Sequence, residues 1–383
     1  MKERIKIMKA KLLISSICLG AGLSHAGGIE NTYLPVDQLF VEGSNVIHAA
    51  YSWSKTDASG DTAFGTQTGT GSNGDYSPKL SYKHQLTDDI STLVAYHLPL
   101  QADISYAKAG LYQGTKAKYE SESLSALVNM NLGNGFGVHG GVQLVSTKTS
   151  AQLRFDKTIT AQLPTGEIPD YDVKSSSSQT TGYILGASYA IPEIALLARF
   201  TYESEVKQDL DLTEKSALFQ LLGGPSDTKS TQTTTSVPEV MTLSLESGVA
   251  ENTLAFASVR HVKWSKFSLA PTGYAGAFGG ELVSFDKDTT ALEIGVGHML
   301  NDQWSVAAFL GYEKASGGVA TALAPDDGYQ GGGMGATFTV NQNLAVNAGL
   351  AYYESDIDTV DEFQTQFKNM GGPGLSASLD YNF

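Results

Sequence analysis

Apolar and polar residues trade places one for one over long stretches of this chain. Trp304, Val306, Ala308, Leu310 and Tyr312 alternate with Ser305, Ala307, Phe309, Gly311 and Glu313, and only a strand turns a period of two into one apolar face. Leu344, Val346, Ala348, Leu350 and Tyr352 repeat the pattern, as do Phe136, Val138, Gly140, Val142 and Leu144, whose alternates Gly137, His139, Gly141 and Gln143 are small or polar. A sandwich would turn such faces inward and a membrane barrel outward, so the connections have to discriminate. Six compact turns punctuate the chain, at Thr87-Asp88-Asp89, Gly133-Asn134-Gly135, Ile191-Pro192-Glu193, Ala250-Glu251-Asn252, Asn301-Asp302-Gln303 and Asn341-Gln342-Asn343. Between them lie seven polar, Gly/Ser/Thr-rich stretches near 54–75, 99–118, 147–178, 207–237, 267–288, 314–330 and 355–373. Tight turns on one rim and long loops on the other mark a membrane barrel. The count predicts an all-β fold, a 14-stranded antiparallel transmembrane β-barrel with a short N-terminal plug segment.

The ends of the chain refine this organisation. Lys2, Arg4, Lys6, Lys9 and Lys11, the apolar run Leu12–Leu23 and the small residues of Ser24-His25-Ala26 predict an export signal over 1–26. A lipid-modified Cys18 is the rival, against which the bulky Ile17 speaks. Residues 27–43 are then a short N-terminal hatch and 44–383 the barrel. Beyond Gly27 no stretch reaches the ~18–20 apolar residues a spanning helix needs. Removing the signal leaves 20 basic against 39 acidic residues, which argues against nucleic acid, whose phosphates demand cations. One Cys and seven scattered His give no metal motif, no nucleophile elbow appears, and Gly331-Gly332-Gly333 sits at a strand rather than at a phosphate loop. No enzyme activity, cofactor or metal is expected. The acidic loops suit divalent-cation bridging to lipopolysaccharide, and a closed wall with no free edge predicts a monomer.

The last strand alternates Leu375, Ala377, Leu379, Tyr381 and Phe383 with small or polar residues and ends on an aromatic, which looks like the C-terminal signal of outer-membrane assembly. Trp53, Trp304, Tyr312, Tyr352 and Tyr381 fall near strand ends, where amphipathic rings anchor at the lipid boundary. Thr201-Tyr202-Glu203-Ser204-Glu205-Val206-Lys207, Val237-Pro238-Glu239, Lys263-Trp264-Ser265-Lys266-Phe267 and Asp302-Gln303-Trp304-Ser305-Val306 resemble, in order and spacing, landmarks of the FadL/TodX outer-membrane hydrocarbon transporters. The resemblance covers the chain from the seventh strand onward through these landmarks and the first six strands by layout. It implies fourteen strands and outer-membrane transport of hydrophobic compounds, long-chain fatty acids foremost. It also implies a hatch carrying Asn-Pro-Ala, which is absent here, and a cation where this chain has Glu203.

Candidate site residues follow from facing and from the resemblance. On the seventh strand Leu196, Ala198, Phe200 and Tyr202 face lipid, which leaves Arg199, Thr201, Glu203 and Glu205 in the lumen. On the ninth, Phe256 and Arg260 point inward. Arg199 and Arg260, two strands apart, can hold a carboxylate headgroup; a salt bridge to Glu246 on the eighth strand competes for them. Phe256, Phe309 and Tyr353 are expected to line a tail pocket or to pack the lumen. Glu214 to Leu222 predicts an amphipathic turn or helix stopped by Gly223-Gly224-Pro225, with Ala217, Leu218, Leu221 and Leu222 either capturing cargo or packing on neighbouring loops. Pro99 cannot donate to a ladder, so pairing should break near His97, Leu98, Pro99 and Leu100, where the resemblance implies a lateral opening; an ordinary loop proline is the alternative. A water-filled porin, and beyond it a surface adhesin or receptor, remain rival functions.

Overall fold

In the computed structural model, residues 28–55, 57–62, 68, 74–107, 109–161, 167–315, 321–324, 328–355 and 365–383 are described; the export signal predicted over 1–26 lies outside them. Among the described residues, fourteen antiparallel strands form one closed barrel. They are β1 Asn45–Ser54, β2 Asp75–Gln85, β3 in two pieces, Ile90–His97 and Gln101–Ser105, β4 Lys116–Gly133, β5 Phe136–Leu153 and β6 Ser178–Ile191. β7 (Leu196–Glu203, then Val206–Lys215) and β8 (Thr228–Val237, then Val240–Ala250) are each interrupted once. The wall continues with β9 Thr253–Val262, β10 Thr289–Met299, β11 Trp304–Glu313, β12 Tyr329–Thr339, β13 Leu344–Ser355 and β14 Gln366–Asn382. Closure is between the ends of the chain, from Val46 opposite Asn382 to Ser54 opposite Gly374. All six predicted turns sit on one rim, and Asn134 and Asn252 adopt positive φ there (53° and 56°), a conformation that asparagine tolerates better than most residues.

Facing decides between barrel and sandwich. Phe136, Tyr312 and Leu350 are 57%, 53% and 53% exposed, while their alternates His139, Glu313 and Asn347 are buried. The apolar rows therefore look out, as hydrocarbon solvent requires and water would not favour. Above Tyr202 the pattern inverts. In the second piece of β7, Val206, Leu210 and Leu212 are buried inside, while Lys207, Asp209, Asp211 and Lys215 are exposed outside. This piece pairs with Thr228–Val237, so the region expected to be a loop over 207–237 is a hairpin that raises the wall beyond the oily belt. Likewise β5 runs to Leu153 and a short strand Tyr171–Ser175 joins it, within the predicted loop 147–178. Polar outward faces there disguised strands as loops.

Beneath the outer connections this raised wall encloses an apolar core, which includes Ile29, Leu100, Tyr119, Leu210, Phe219, Trp264, Phe267 and Tyr274. Lower down, the hatch residues Leu34, Val36 and Leu39 pack on Leu93, Ala95, Leu127 and Ile184 of the inner wall.

Candidate functional site

The third strand stops at His97 and resumes at Gln101. Its lower piece pairs with β2 as far as Leu80 opposite Tyr96, whereas the upper piece pairs with β4 alone. The ladder between β2 and β3 is thus open above Leu80. Pro99, with no N–H to give, sits in the break, and Leu98 and Leu100 are buried beside it. The hatch occupies the freed backbone: Asn31 N donates to Pro99 O (2.9 Å), Thr32 N to Leu98 O (3.0 Å), and Gln101 N to Ile29 O (2.9 Å). Across the gap, Asn31 Nδ2 donates to Gln101 Oε1 (2.7 Å) on one side and Asn31 Oδ1 accepts from Ser77 Oγ (2.5 Å) on the other. His97 is buried, and its Nδ1 has no hydrogen-bond partner among the described residues.

Both candidate arginines face the lumen, and acids of the hatch hold them. Arg260 donates from Nε (3.0 Å) and Nη2 (2.5 Å) to Glu30 Oε1, and from Nη1 to Thr242 Oγ1 (2.8 Å). Glu203 lies 3.6 Å from its Nη1, and the Tyr33 ring stacks 4.1 Å from its Cζ. Arg199 closes on Asp37, approaches Glu246 at 3.8 Å and covers the Phe40 ring at 5.5 Å. The expected Glu246 contact is present, yet the shorter partners, Glu30 and Asp37, come from a segment 230 residues from Arg260 in the first case. Glu30 and Asp37 of the short hatch, opposite two lumen arginines, were the signal that sequence reasoning passed over.

Phe256, Phe309 and Tyr353 are brought together, with Tyr329, Ala291 and Ala351, in one lumen cluster; Tyr329 and Tyr353 meet edge to face at 5.4 Å. Glycines seat these rings against the wall. A Cβ at Gly333 would stand 2.7 Å from the Phe309 ring and from Leu350 O, and one at Gly295 would fall within the Phe256 ring. Between the cluster and the hatch lies a cavity of about 260 Å³ walled by Gln38, Lys79, Phe256, Glu293 and Tyr329, with both arginines.

The outer candidates divide. The predicted helix from Glu214 is one turn, Leu218–Leu221, because β7 runs on to Lys215 and turns Glu214 inward. Leu221 and Leu222 are 75% and 63% exposed, Ala217 is exposed and Leu218 half-buried. Phe219, which the sequence did not single out, is the buried anchor under Lys229 Nζ, 4.4 Å from its ring centroid. Glu214 accepts from Tyr171 Oη (2.7 Å), from the backbone N–H of Gly273 (2.9 Å) and Tyr274 (2.7 Å), and from Thr231 Oγ1. One buried carboxylate therefore ties three outer connections together. Burial, and next the Glu214 carboxylate, push the Tyr171 phenol well above its ordinary value.

A family model described as outer membrane protein transport protein (OMPP1/FadL/TodX) matches residues 42–381. Among solved structures, a Pseudomonas aeruginosa FadL homologue is similar with a TM-score of 0.72 at 14% identity, covering 96% of each chain. The P. putida toluene transporter TodX gives 0.66 at 15%, covering 94% of this chain and 99% of that one. The Ralstonia pickettii toluene transporter TbuX gives 0.61 at 11%, covering 90% of each. No curated protein matches the sequence.

Proposed function

The chain belongs to the OMPP1/FadL/TodX family of outer-membrane transport proteins, and from that premise we propose a route for its hydrophobic cargo: capture at the outer loops, passage through the apolar core beneath them, and sideways release at the break in β3. The observation that carries this reading is continuity. Leu100 at the break belongs to the same apolar cluster as Trp264, Phe267 and Phe219, and Phe219 lies in the turn that exposes Leu221 and Leu222. An apolar solute gains about 25 cal/mol per Å² of surface kept from water, so such a path lowers its free energy at every step. Release at the break would require Asn31 to let go of Ser77 or Gln101.

Among hydrophobic cargoes the geometry favours an uncharged compound over the long-chain fatty acid that the sequence resemblance implies. A carboxylate headed for Arg260 or Arg199 has to displace Glu30 or Asp37, whereas a hydrocarbon meets no such competition. The hatch within the lumen also speaks against an open diffusion porin. A closed wall satisfies its own backbone, so one copy suffices.

Uptake of labelled toluene and labelled oleate by cells carrying Ser77→Cys with Gln101→Cys tests both parts. Bridging the two thiols with a short bifunctional reagent should abolish uptake, and reductive cleavage of the bridge should restore it. Undiminished uptake in the bridged state refutes sideways release; oleate uptake without toluene uptake refutes the preference for uncharged cargo.

A further inference from the structure

The cavity between the hatch and the lumen aromatics holds charges that the hatch does not use. Arg260 holds Glu30 and approaches Glu203, and Arg199 holds Asp37 and approaches Glu246. Lys79 on β2 and Glu293 on β10 line the same cavity. Neither has a hydrogen bond or an ion pair within 4 Å among the described residues; the charge that acts most on each is Asp37, which Arg199 already holds, and each also feels the other across the space. Gln38, 1% exposed, projects from the hatch into the cavity wall with both amide atoms unpartnered among the described residues. Phe256 and Tyr329 supply an apolar wall.

We propose that this cavity is a binding site for a small zwitterion with an apolar side chain, of the α-amino-acid type, its carboxylate on Lys79, its ammonium on Glu293 and its side chain on Phe256 and Tyr329. An anion alone would meet Lys79 but also Glu293 with no counter-charge. A cation alone would leave Lys79 in the same position, and charges largely withdrawn from water without partners are costly. A zwitterion answers both at once, and the Gln38 amide can donate to its carboxylate or accept from its ammonium. An ammonium beside Phe256 and Tyr329 gains further from the ring faces. At roughly 30 Å³ per water the 260 Å³ of the cavity holds about nine waters, the space of one amino acid. The ligand differs in class from the hydrophobic cargo, so this proposal stands apart from the transport reading.

The test is equilibrium dialysis of radiolabelled L-tryptophan against the full-length protein in detergent, with tryptamine and indole-3-propionate as single-charge competitors. Native protein should bind tryptophan saturably and each competitor at least tenfold more weakly. Glu293→Gln should lower tryptophan affinity at least tenfold and erase its advantage over indole-3-propionate; Lys79→Gln should erase the advantage over tryptamine. Lys79→Arg and Glu293→Asp, which keep the charges, should retain both preferences and cover the case in which a neutral variant fails to fold. Absence of saturable binding, meaning a cavity that holds water only, overturns the proposal. Equal binding of the three probes, or charge preferences that survive in Lys79→Gln and Glu293→Gln, overturns it as well.

Discussion

Arg260→Gln would remove the cation on which the upper end of the hatch closes. The native guanidinium holds Glu30 Oε1 through two N–H groups at 3.0 and 2.5 Å and lies 3.6 Å from Glu203. The Arg260 and Glu30 side chains are 7% and 4% exposed. Deleting one member of a buried pair leaves the other charge uncompensated, which costs about 3–5 kcal/mol. Here that cost falls on the docked hatch, because Glu30 regains water once it leaves the lumen. At tenfold per ~1.4 kcal/mol, the population with Glu30 undocked should rise by roughly two to three and a half orders of magnitude. The backbone bonds at Leu98, Pro99 and Gln101 and the Asp37–Arg199 pair still tether the segment, so the opening is local to its upper end. Ile29→Cys, buried in the native fold, reports it through labelling by a membrane-impermeant maleimide, whose rate follows the open population. Labelling should accelerate at least a hundredfold in Arg260→Gln and less in Arg260→Lys, which keeps the charge but not the planar fork. An unchanged rate in a variant that retains the heat-dependent gel mobility of a folded barrel would show that this pair does not hold the hatch.

Three further outcomes are expected. Gly333→Ala pushes a methyl to 2.7 Å from the Phe309 ring and from Leu350 O, an overpacking of about 1–3 kcal/mol, visible as a lower midpoint of heat-dependent mobility; an unchanged midpoint would mean that the ring yields freely. Leu221→Asn with Leu222→Asn should leave that midpoint in place, since both side chains are exposed, while slowing hydrophobic uptake at low cargo concentration; native uptake would remove these leucines from the capture step. Tyr171 titrates higher in the folded protein than its unfolded value of about 10. The stability it contributes is therefore complete below about pH 10 and lost as pH rises beyond it, and the protection of the Gly273 and Tyr274 amides, measured against intrinsic base-catalysed exchange, should hold to about pH 9 and fall above pH 10. Protection that falls near neutrality would contradict the latch.

Local rules made much of the architecture legible. A period of two with an oily row, as in Trp304–Glu313, can only be a strand with a lipid or core face, and turn residues such as Gly133-Asn134-Gly135 mark where the chain reverses. Six such turns alternating with longer connections gave the strand number and the rim on which the turns lie. Facing followed by parity, which placed Arg199, Arg260, Phe256, Phe309 and Tyr353 in the lumen. Parity failed above Tyr202, where the chain leaves the oily belt: water outside and an apolar core within reverse the code, and a polar outward row reads as loop.

Partners were another matter. Periodicity tells which way a side chain points, and says nothing of what stands opposite it across a barrel. Arg260 meets Glu30 because the hatch threads back through the lumen, Asn31 spans the gap because β2 and β3 part above Leu80, and Lys79 and Glu293 line one cavity because closure of β14 on β1 brings distant walls around it. The amino-acid order alone determined a barrel, its strands and their inward rows, since these depend on neighbours along the chain and on the solvent each face meets. Which charges are paired, where the β2–β3 ladder opens and which residues line the cavity were decided only by tertiary structure, since those contacts join residues that only closure of the sheet and insertion of the hatch bring together.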